Sequence, residues 1–223
     1  MFLPAPHFTS LANVRVVDVK QGSVAAGGAA SIDLPANRAE TLVIAWLGGG
    51  TSTTADAPTI TGFTSIESES APATSIPRFR LMYKYGPGAT AILDPNSGLL
   101  NAAYIIWSIA SGPATLSGSD SSKANDDSPA AVPDPPSVTT LTDNSLVMAF
   151  GAMTDITADT GWSAPSGYSG LKVQSAGDSL SQNAVIMGAW KIVSTAGAEN
   201  PGTFSHASAL NGWGAATLRL APA

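Results

Sequence analysis

The sequence predicts an all-β protein, a jelly-roll-like antiparallel β-sandwich built from an internal duplication. Short apolar or alternating segments recur at roughly 8–15-residue spacing between turns rich in Gly, Pro and Ser, which is typical of sandwiches. No segment has apolar residues at helical spacing over three turns, so we expect less than about a tenth helix. The apolar run 41–47 also returns at 145–151, 104 residues later.

Four further landmarks follow both runs in the same order. The pairs are Gly62-Phe63 with Gly167-Tyr168, Tyr83-Lys84 with Trp190-Lys191, Asp94-Pro95 with Asn200-Pro201, and Ile105, Trp107 and Ile109 with Ala216, Leu218 and Leu220. Their offsets lie between 105 and 111 residues, as insertions and deletions in the loops of a duplicated unit would give.

The first copy predicts six strands. They are 14–19, 31–34 ended by Pro35, 41–47, 60–66 around Gly62-Phe63, 78–85 and 101–109. The run 41–47 is continuously apolar and ends at three glycines, so we expect a central strand buried on both faces. In 78–85 two kinds of residue alternate, which predicts a half-buried strand. Its solvent face is expected to carry Arg78, Arg80, Met82 and Lys84.

The second copy predicts the same series. Its segments are a lead-in at 137–141, the central strand 146–150, a loop opening the Gly167-Tyr168 strand, and strands at 184–193, 202–206 and 213–220. The predicted core comprises Ile44, Trp46, Phe79, Leu81, Tyr83, Ile105, Trp107, Met148, Phe150, Ile186, Trp190 and Leu218, and Ile192 is also expected to point inward.

Composition changes divide the chain into four parts. Residues 1–12 hold two prolines without a clear period and predict an N-terminal arm. Residues 13–112 and 137–223 are the two sandwich repeats, which can form one joint domain. Residues 113–136 are polar, acidic and Pro-rich and predict a connector.

Charge and composition narrow the function classes. Charged residues make up 12% of the chain, where soluble domains average about 25%, so part of the surface is expected to contact other proteins. The net charge is −6 without a Lys/Arg cluster, which argues against nucleic-acid binding. Cysteine is absent. The N-terminus lacks the pattern of a signal peptide, and no apolar run nears the roughly 20 residues of a membrane span.

Catalytic arrangements are weak. A Ser/His/Asp site would need His206, which stands in a predicted strand. The sequence has no Gly-x-Ser-x-Gly motif that would supply the nucleophile for such a site. Glu67 and Glu69 share one strand face and could serve a glycosidase, but their Ser-rich surroundings favour a solvated hairpin end. We therefore predict no catalytic residue and no cofactor.

Two binding hypotheses remain. Asp120, Asp126, Asp127 and Asp134 offer oxygen ligands for calcium, but the spacing of a calcium loop is missing, so a solvated acidic segment is favoured and no metal is predicted. Four tryptophans lie in apolar strands. Trp162 stands in a loop-like context and is the one candidate for ligand contact, as a sugar-stacking ring.

The repeated pattern resembles one found in tailed-phage and prophage structural proteins. Its elements here are the strand Ser145–Phe150, the turn Pro165-Ser166-Gly167-Tyr168, Trp190-Lys191, Asn200-Pro201 and the final strand Trp213–Leu220. In the first copy Thr61 stands near Gly62, where the turn pattern has proline. Such proteins are β-sandwich head decorations, spikes, fibres or tail components, and the resemblance implies no catalytic residues.

The leading hypothesis is thus a non-enzymatic virion protein, made in the host cytoplasm, that binds capsid or tail subunits and forms a homo-oligomer in the particle, without nucleic-acid or membrane contacts. A carbohydrate- or receptor-binding module is the alternative, and a hydrolase using His206 or Glu67 is a third class.

Overall fold

The computed structural model describes residues 13–25, 28–36, 41–50, 56–69, 76–95, 101–113, 116, 120–126, 132–154, 160–177, 184–207 and 212–223. Within these ranges all fifteen regular elements are β-strands, and no helix there is long and apolar enough to cross a bilayer. The first eight strands are β1 (Arg15–Val24), β2 (Ala30–Asp33), β3 (Leu42–Gly49), β4 (Thr59–Ile60), β5 (Thr64–Glu69), β6 (Arg78–Tyr85), β7 (Thr90–Asp94) and β8 (Ala102–Ala110). The other seven are β9 (Ser121–Asp126), β10 (Val138–Thr140), β11 (Ser145–Thr154), β12 (Ser169–Ser175), β13 (Ala184–Val193), β14 (Gly197–Glu199) and β15 (Trp213–Leu220).

The strands form two large and two small antiparallel sheets. One five-stranded sheet has the order β1-β8-β3-β6-β5, and the other has the order β12-β13-β11-β15-β9. The small sheets have the orders β2-β7-β4 and β10-β14. The second large sheet has a matching strand order when it is listed from its other edge, as β9-β15-β11-β13-β12. These strands then stand in the positions of β1, β8, β3, β6 and β5. The prediction of an all-β protein with antiparallel sheets is confirmed.

The sheets stack in layers around three apolar clusters. The two large sheets face each other across a shared core that includes Trp46, Trp107, Phe150 and Ile186. The outer face of the first large sheet packs on the sheet β2-β7-β4, and the outer face of the second packs near β10. Each half is therefore a large sheet covered by a smaller one, and the halves meet through their large sheets.

Strands β3 and β11 lie at the centres of the large sheets. Every residue of both strands is buried. Because the large sheets are covered on both faces, these strands need apolar residues at consecutive positions, which explains the uninterrupted runs in the sequence. The indole Nε1 of Trp46 donates a hydrogen bond of 2.9 Å to the Gly151 carbonyl, so β3 and β11 are also joined by a buried polar contact.

Large side chains of one half lie over glycines of the other. A Cβ on Gly48 would overlap Ile186, one on Gly188 would lie 2.7 Å from the Trp107 ring, and one on Gly214 would overlap Phe79. Close approach of backbone to side chain requires glycine at these positions. The predicted core residues are buried apart from Tyr83 and Trp190, which are half-buried against the core.

Three sequence predictions about exposure and strand extent were wrong. Arg78 and Met82 were expected to face solvent but are buried. Met82 packs into the cluster formed with the sheet β2-β7-β4, which covers that face of β6. Gly62 has φ 81° and lies in a turn, so the strand expected at 60–66 is split into β4 and β5, which join different sheets. Ile192 is 44% exposed, since the fully buried part of β13 ends before Trp190.

Two further predictions need correction. Ser121–Asp126, expected within the connector, form β9 and pair with β15. An edge strand needs no apolar run, so its polar composition gave no strand signal. The strand expected at 202–206 is reduced to one isolated bridge between Ser163 and Ser205. The predicted arm, residues 1–12, and Asp127 lie outside the described residues.

Candidate functional site

Trp162, the predicted ligand contact, is placed by a bridge at the outer face of the second half. The amide of Ser163 donates to the Ser205 carbonyl at 2.9 Å, and the reverse bond measures 3.1 Å. Trp162 packs into the outer cluster with Phe204 and is 8% exposed. Little of the ring is therefore accessible to an incoming sugar, and its role as a ligand contact stays a prediction.

His206 lies directly against Trp162. Their ring centroids are 4.8 Å apart with an angle of 35° between the planes. Nε2 of His206 is 3.2 Å from the Thr160 carbonyl, which can only accept, so Nε2 carries a proton in this contact. Gly161 has φ 83°, and a Cβ there would lie 3.1 Å from Nε2. The structure therefore brings together two residues that the sequence suggested separately, as a tilted ring pair beside a tight turn.

Tyr168, Lys191 and Glu199 form a polar cluster that fastens β14 to the second large sheet. Lys191 Nζ lies 2.9 Å from Glu199 Oε1 and 5.9 Å from the centroid of the Tyr168 ring. The Tyr168 hydroxyl donates to Glu199 Oε1 at 3.3 Å. Burial raises the pKa of Tyr168, and the charge of Glu199 and the hydrogen bond to it raise it further. Tyr168 and Lys191, which belong to the recurring Gly-aromatic and aromatic-Lys pairs, thus have a structural role here, and the Tyr168 phenol is protonated.

Glu67 and Glu69, considered as a glycosidase pair, bridge the two large sheets at one edge. Glu67 Oε1 accepts from the Ser121 hydroxyl at 2.7 Å. Glu69 Oε2 accepts from Asn125 at 2.9 Å and lies 3.3 Å from Lys123 Nζ. One oxygen of each carboxylate contacts β9, so the pair ties the two large sheets together at this edge.

The first half contains an open cleft of about 570 Å³ beside β1. It is lined by Asp18, Lys20, Asp33, Leu34, Pro35, Ala36, Pro87, Gly88 and Ala89. Asp18 accepts from the amides of Val19 and Ala36, each at 2.8 Å. The Ala36 amide is the main cause that lowers the pKa of Asp18, so the group is a carboxylate at neutral pH. Sequence reasoning missed this site, because its residues come from three separated segments.

A much smaller cavity of about 50 Å³ lies in the second half. Its lining includes Asp120, Leu141, Thr142 and Arg219. Arg219 Nε lies 3.3 Å from Asp120 Oδ1, and its NH1 donates to the Thr139 carbonyl. Asp120, one of the predicted calcium-ligand candidates, is thus engaged by a guanidinium in this structure.

Metal-ligating side chains do not cluster in the part of the chain that the structure describes. No group of three or more His, Cys, Asp or Glu residues there could hold an ion together.

Comparisons with known proteins give no relative: no protein-family model, no curated protein and no solved structure matches this chain.

Proposed function

We propose that this protein is a non-enzymatic component of a tailed-phage virion that binds capsid or tail subunits. The observation that carries the proposal is the strand order of the first half. The orders β1-β8-β3-β6 and β2-β7-β4 support a jelly-roll assignment, on the inference that β5 has left the smaller sheet and joined the edge of the larger one. Jelly rolls are frequent in viral capsid proteins, which supports the resemblance that the sequence suggested.

We further infer that the two halves arose by duplication. The matching strand orders of the large sheets support this, and so does the register. Trp46 pairs with Ile105 in the first sheet, and Phe150 pairs with Ala216 in the second. The sequence landmarks match Ile105 to Ala216 independently of these pairings. Two fused jelly-roll units would place two related surfaces in one subunit, which suits attachment to a repeating lattice.

The edges of the large sheets are poorly suited to strand addition. β1, β5 and β12 each carry a register shift, between Val16 and Asp18, Ser65 and Glu67, and Ser169 and Lys172. The edge strand β9 is short and carries Lys123. Bulges and charged residues are the usual protection against edge-to-edge pairing. Subunit contacts are therefore expected at the faces and ends of the sandwich.

One end of the second half carries exposed apolar side chains. Leu141 is 73% exposed in the turn before β11, and Ile192 is 44% exposed near the end of β13. They lie at the same end, because Ser145 at the start of β11 pairs with Val193. Exposed large aliphatic side chains at one end of the sandwich are candidates for a contact with another protein.

The function can be tested on purified particles. Mass spectrometry of virions should detect the protein in stoichiometric amounts, and the double variant Leu141→Ser, Ile192→Thr should lower its incorporation while keeping its melting temperature. Ile92→Thr is the matched control, since Ile92 is 42% exposed but lies on β7. Absence of the wild-type protein from particles would refute the virion function.

The predicted arm, residues 1–12, supplies a second test of assembly. Deleting it should leave the fold intact and reduce either particle incorporation or the oligomer content measured by analytical ultracentrifugation. A truncated protein that assembles at full occupancy would exclude the arm as a contact. It would leave the proposed contact at Leu141 and Ile192 unaffected.

A carbohydrate-binding module is the second candidate, because jelly rolls also form lectin domains and two rings, Trp162 and His206, lie together at the outer face of the second half. Binding on a glycan array that disappears in Trp162→Ala and persists in His206→Ala would favour it over virion assembly.

A further inference from the structure

The cleft beside β1 has a counterpart in the second half that shows what can fill it. In the first large sheet, Asp18 of β1 is the cross-strand partner of Ser108 on β8. In the second, the register of β15 and β9 ends at Leu218 and Ser121, so the next position opposes Arg219 and Asp120. Val43 pairs with Ser108 and Val147 with Arg219, which gives the same correspondence from the central strands.

The second half fills this position with its own guanidinium. Arg219 extends from β15 to the Asp120 carboxylate and the Thr139 carbonyl. Planar guanidinium groups suit such a site, because they donate in two directions at once to a carboxylate and a carbonyl. The space left beside Arg219 is about 50 Å³.

The first half has two carboxylates and no arginine at this position, and the cation that lines its cleft is Lys20, on the same strand as Asp18. Ser108 replaces arginine, and the corresponding cleft measures about 570 Å³. The Ser108 hydroxyl is fully buried and has no hydrogen-bond partner among the described residues. Asp33 stands at the end of β2, where the second half has Leu141 after β10, so the cleft holds a second carboxylate. With Lys20 included, the three charged lining residues carry one net negative charge.

We propose that the cleft lined by Asp18 and Asp33 binds a guanidinium group, supplied by an arginine side chain of a partner subunit. The guanidinium takes the place that Arg219 takes in the second half, with the Asp18 carboxylate as its main acceptor and Asp33 as a second one. This inference gives the proposed assembly function one contact of defined chemistry. The identity of the partner rests on that function, but binding of the cation itself does not.

Binding can be measured with propylguanidinium as the probe. The amides of Val19 and Ala36 both donate to Asp18, so their ¹H–¹⁵N resonances should shift saturably during a titration. Propylammonium, which has the same charge and chain but no planar donor pair, should bind at least about threefold more weakly. Linear, unsaturated shifts, or equal shifts with both cations, would overturn the guanidinium assignment.

Two substitutions give the matched pair for this titration. Asp33→Asn removes one carboxylate without touching the contacts of Asp18, and should weaken propylguanidinium about threefold, the size expected for an exposed ion pair. Asp134→Asn removes an exposed carboxylate outside the cleft and should leave binding unchanged. An unchanged affinity in Asp33→Asn would exclude Asp33 from the site, and weaker binding in Asp134→Asn would mean that the probe senses net charge only.

The internal comparison can be tested in both directions. Arg219→Ala should open a cleft in the second half that binds propylguanidinium and regains melting temperature when it does, whereas Ser108→Arg should fill the cleft in the first half and abolish binding there. Failure of the probe to bind or stabilise Arg219→Ala would overturn the correspondence on which the proposal stands. Loss of particle incorporation in Asp33→Asn, with the melting temperature retained, would connect the site to assembly. Normal incorporation together with lost probe binding would remove the partner arginine and leave the virion function intact.

Discussion

The two edges of the sandwich close in the same way with different chemistry. At one edge β5 lies against β9, and at the other β12 lies against β1. Lys123 Nζ donates to the Ser68 carbonyl at 2.6 Å, and Gln21 Nε2 donates to the Val173 carbonyl at 3.1 Å. Lys123 pairs with Ala216 and Gln21 with Ile105, so these two bonds occupy corresponding positions. A long polar side chain reaching a fixed backbone acceptor closes each edge, and charge is not needed for it.

Charge is an addition at one edge only. Glu69 receives Lys123 and Asn125 on β9, whereas Gln174 stands at the corresponding position of β12. Exposed ion pairs contribute little to folding stability, so the two edges should be similar in strength despite this difference. The halves differ far more in the size of the residues that face each other across the shared core. At three places a large side chain of one half lies over a glycine of the other, namely Trp107, Phe79 and Ile186.

The largest effect should come from the centre of the shared core. Trp46→Ala is expected to lower the free energy of unfolding by about 3–5 kcal/mol, because it removes a fully buried ring and its bond to Gly151. Trp46→Phe copies Phe150 of the second half and should cost clearly less. Urea denaturation of both variants checks this, and equal midpoints for the alanine variant and the wild type would show that the core is not shared as described.

A second substitution tests the size complementarity between the halves. Gly48→Ala should cost about 1–3 kcal/mol, because the new methyl overlaps Ile186. In an Ile186→Ala background the same change should cost close to nothing, since the overlapping atoms are gone. A double-mutant cycle by thermal denaturation measures the coupling, and strictly additive effects would contradict direct contact between these positions.

The polar cluster of Tyr168, Lys191 and Glu199 should give the two halves different responses to pH. The first half has Phe63 at the corresponding landmark. Because burial and Glu199 raise the pKa of Tyr168 above its ordinary value of 10.0, its contribution is fully present below that value and is lost as the pH rises through the folded-state pKa. The wild type should therefore lose more stability between about pH 9 and pH 11 than Tyr168→Phe does. Parallel pH profiles for the two proteins would place Tyr168 outside this linkage.

The smallest effect is expected at the charged edge. Lys123→Gln reproduces Gln21 and should lower stability by about 0.2–1 kcal/mol in low salt, with the difference fading as salt is added. Gln21→Lys serves as the reciprocal control, because no carboxylate of β12 matches Glu69. A loss that is large and independent of salt would mean that Lys123 acts through packing and not through charge.

The sequence alone predicted the features that depend on which residues of a single strand are buried. The runs around Ile44 and Met148 are apolar at consecutive positions and became central strands, and Trp213–Leu220 is the strand that its alternation predicted. In these strands the polarity of each residue reflects whether its position is buried, so the pattern within the segment suffices to recognise the strand.

Tertiary structure decided which sheet each strand joins and what covers it. Met82 is buried because a second, smaller sheet lies over β6, and Ser121–Asp126 form a strand because β15 offers an unpaired edge. The approach of His206 to Trp162 and the cleft at Asp18 likewise join residues that are distant in the chain. Such contacts depend on strand order and register between segments, and neither is encoded in the periodicity of any one segment.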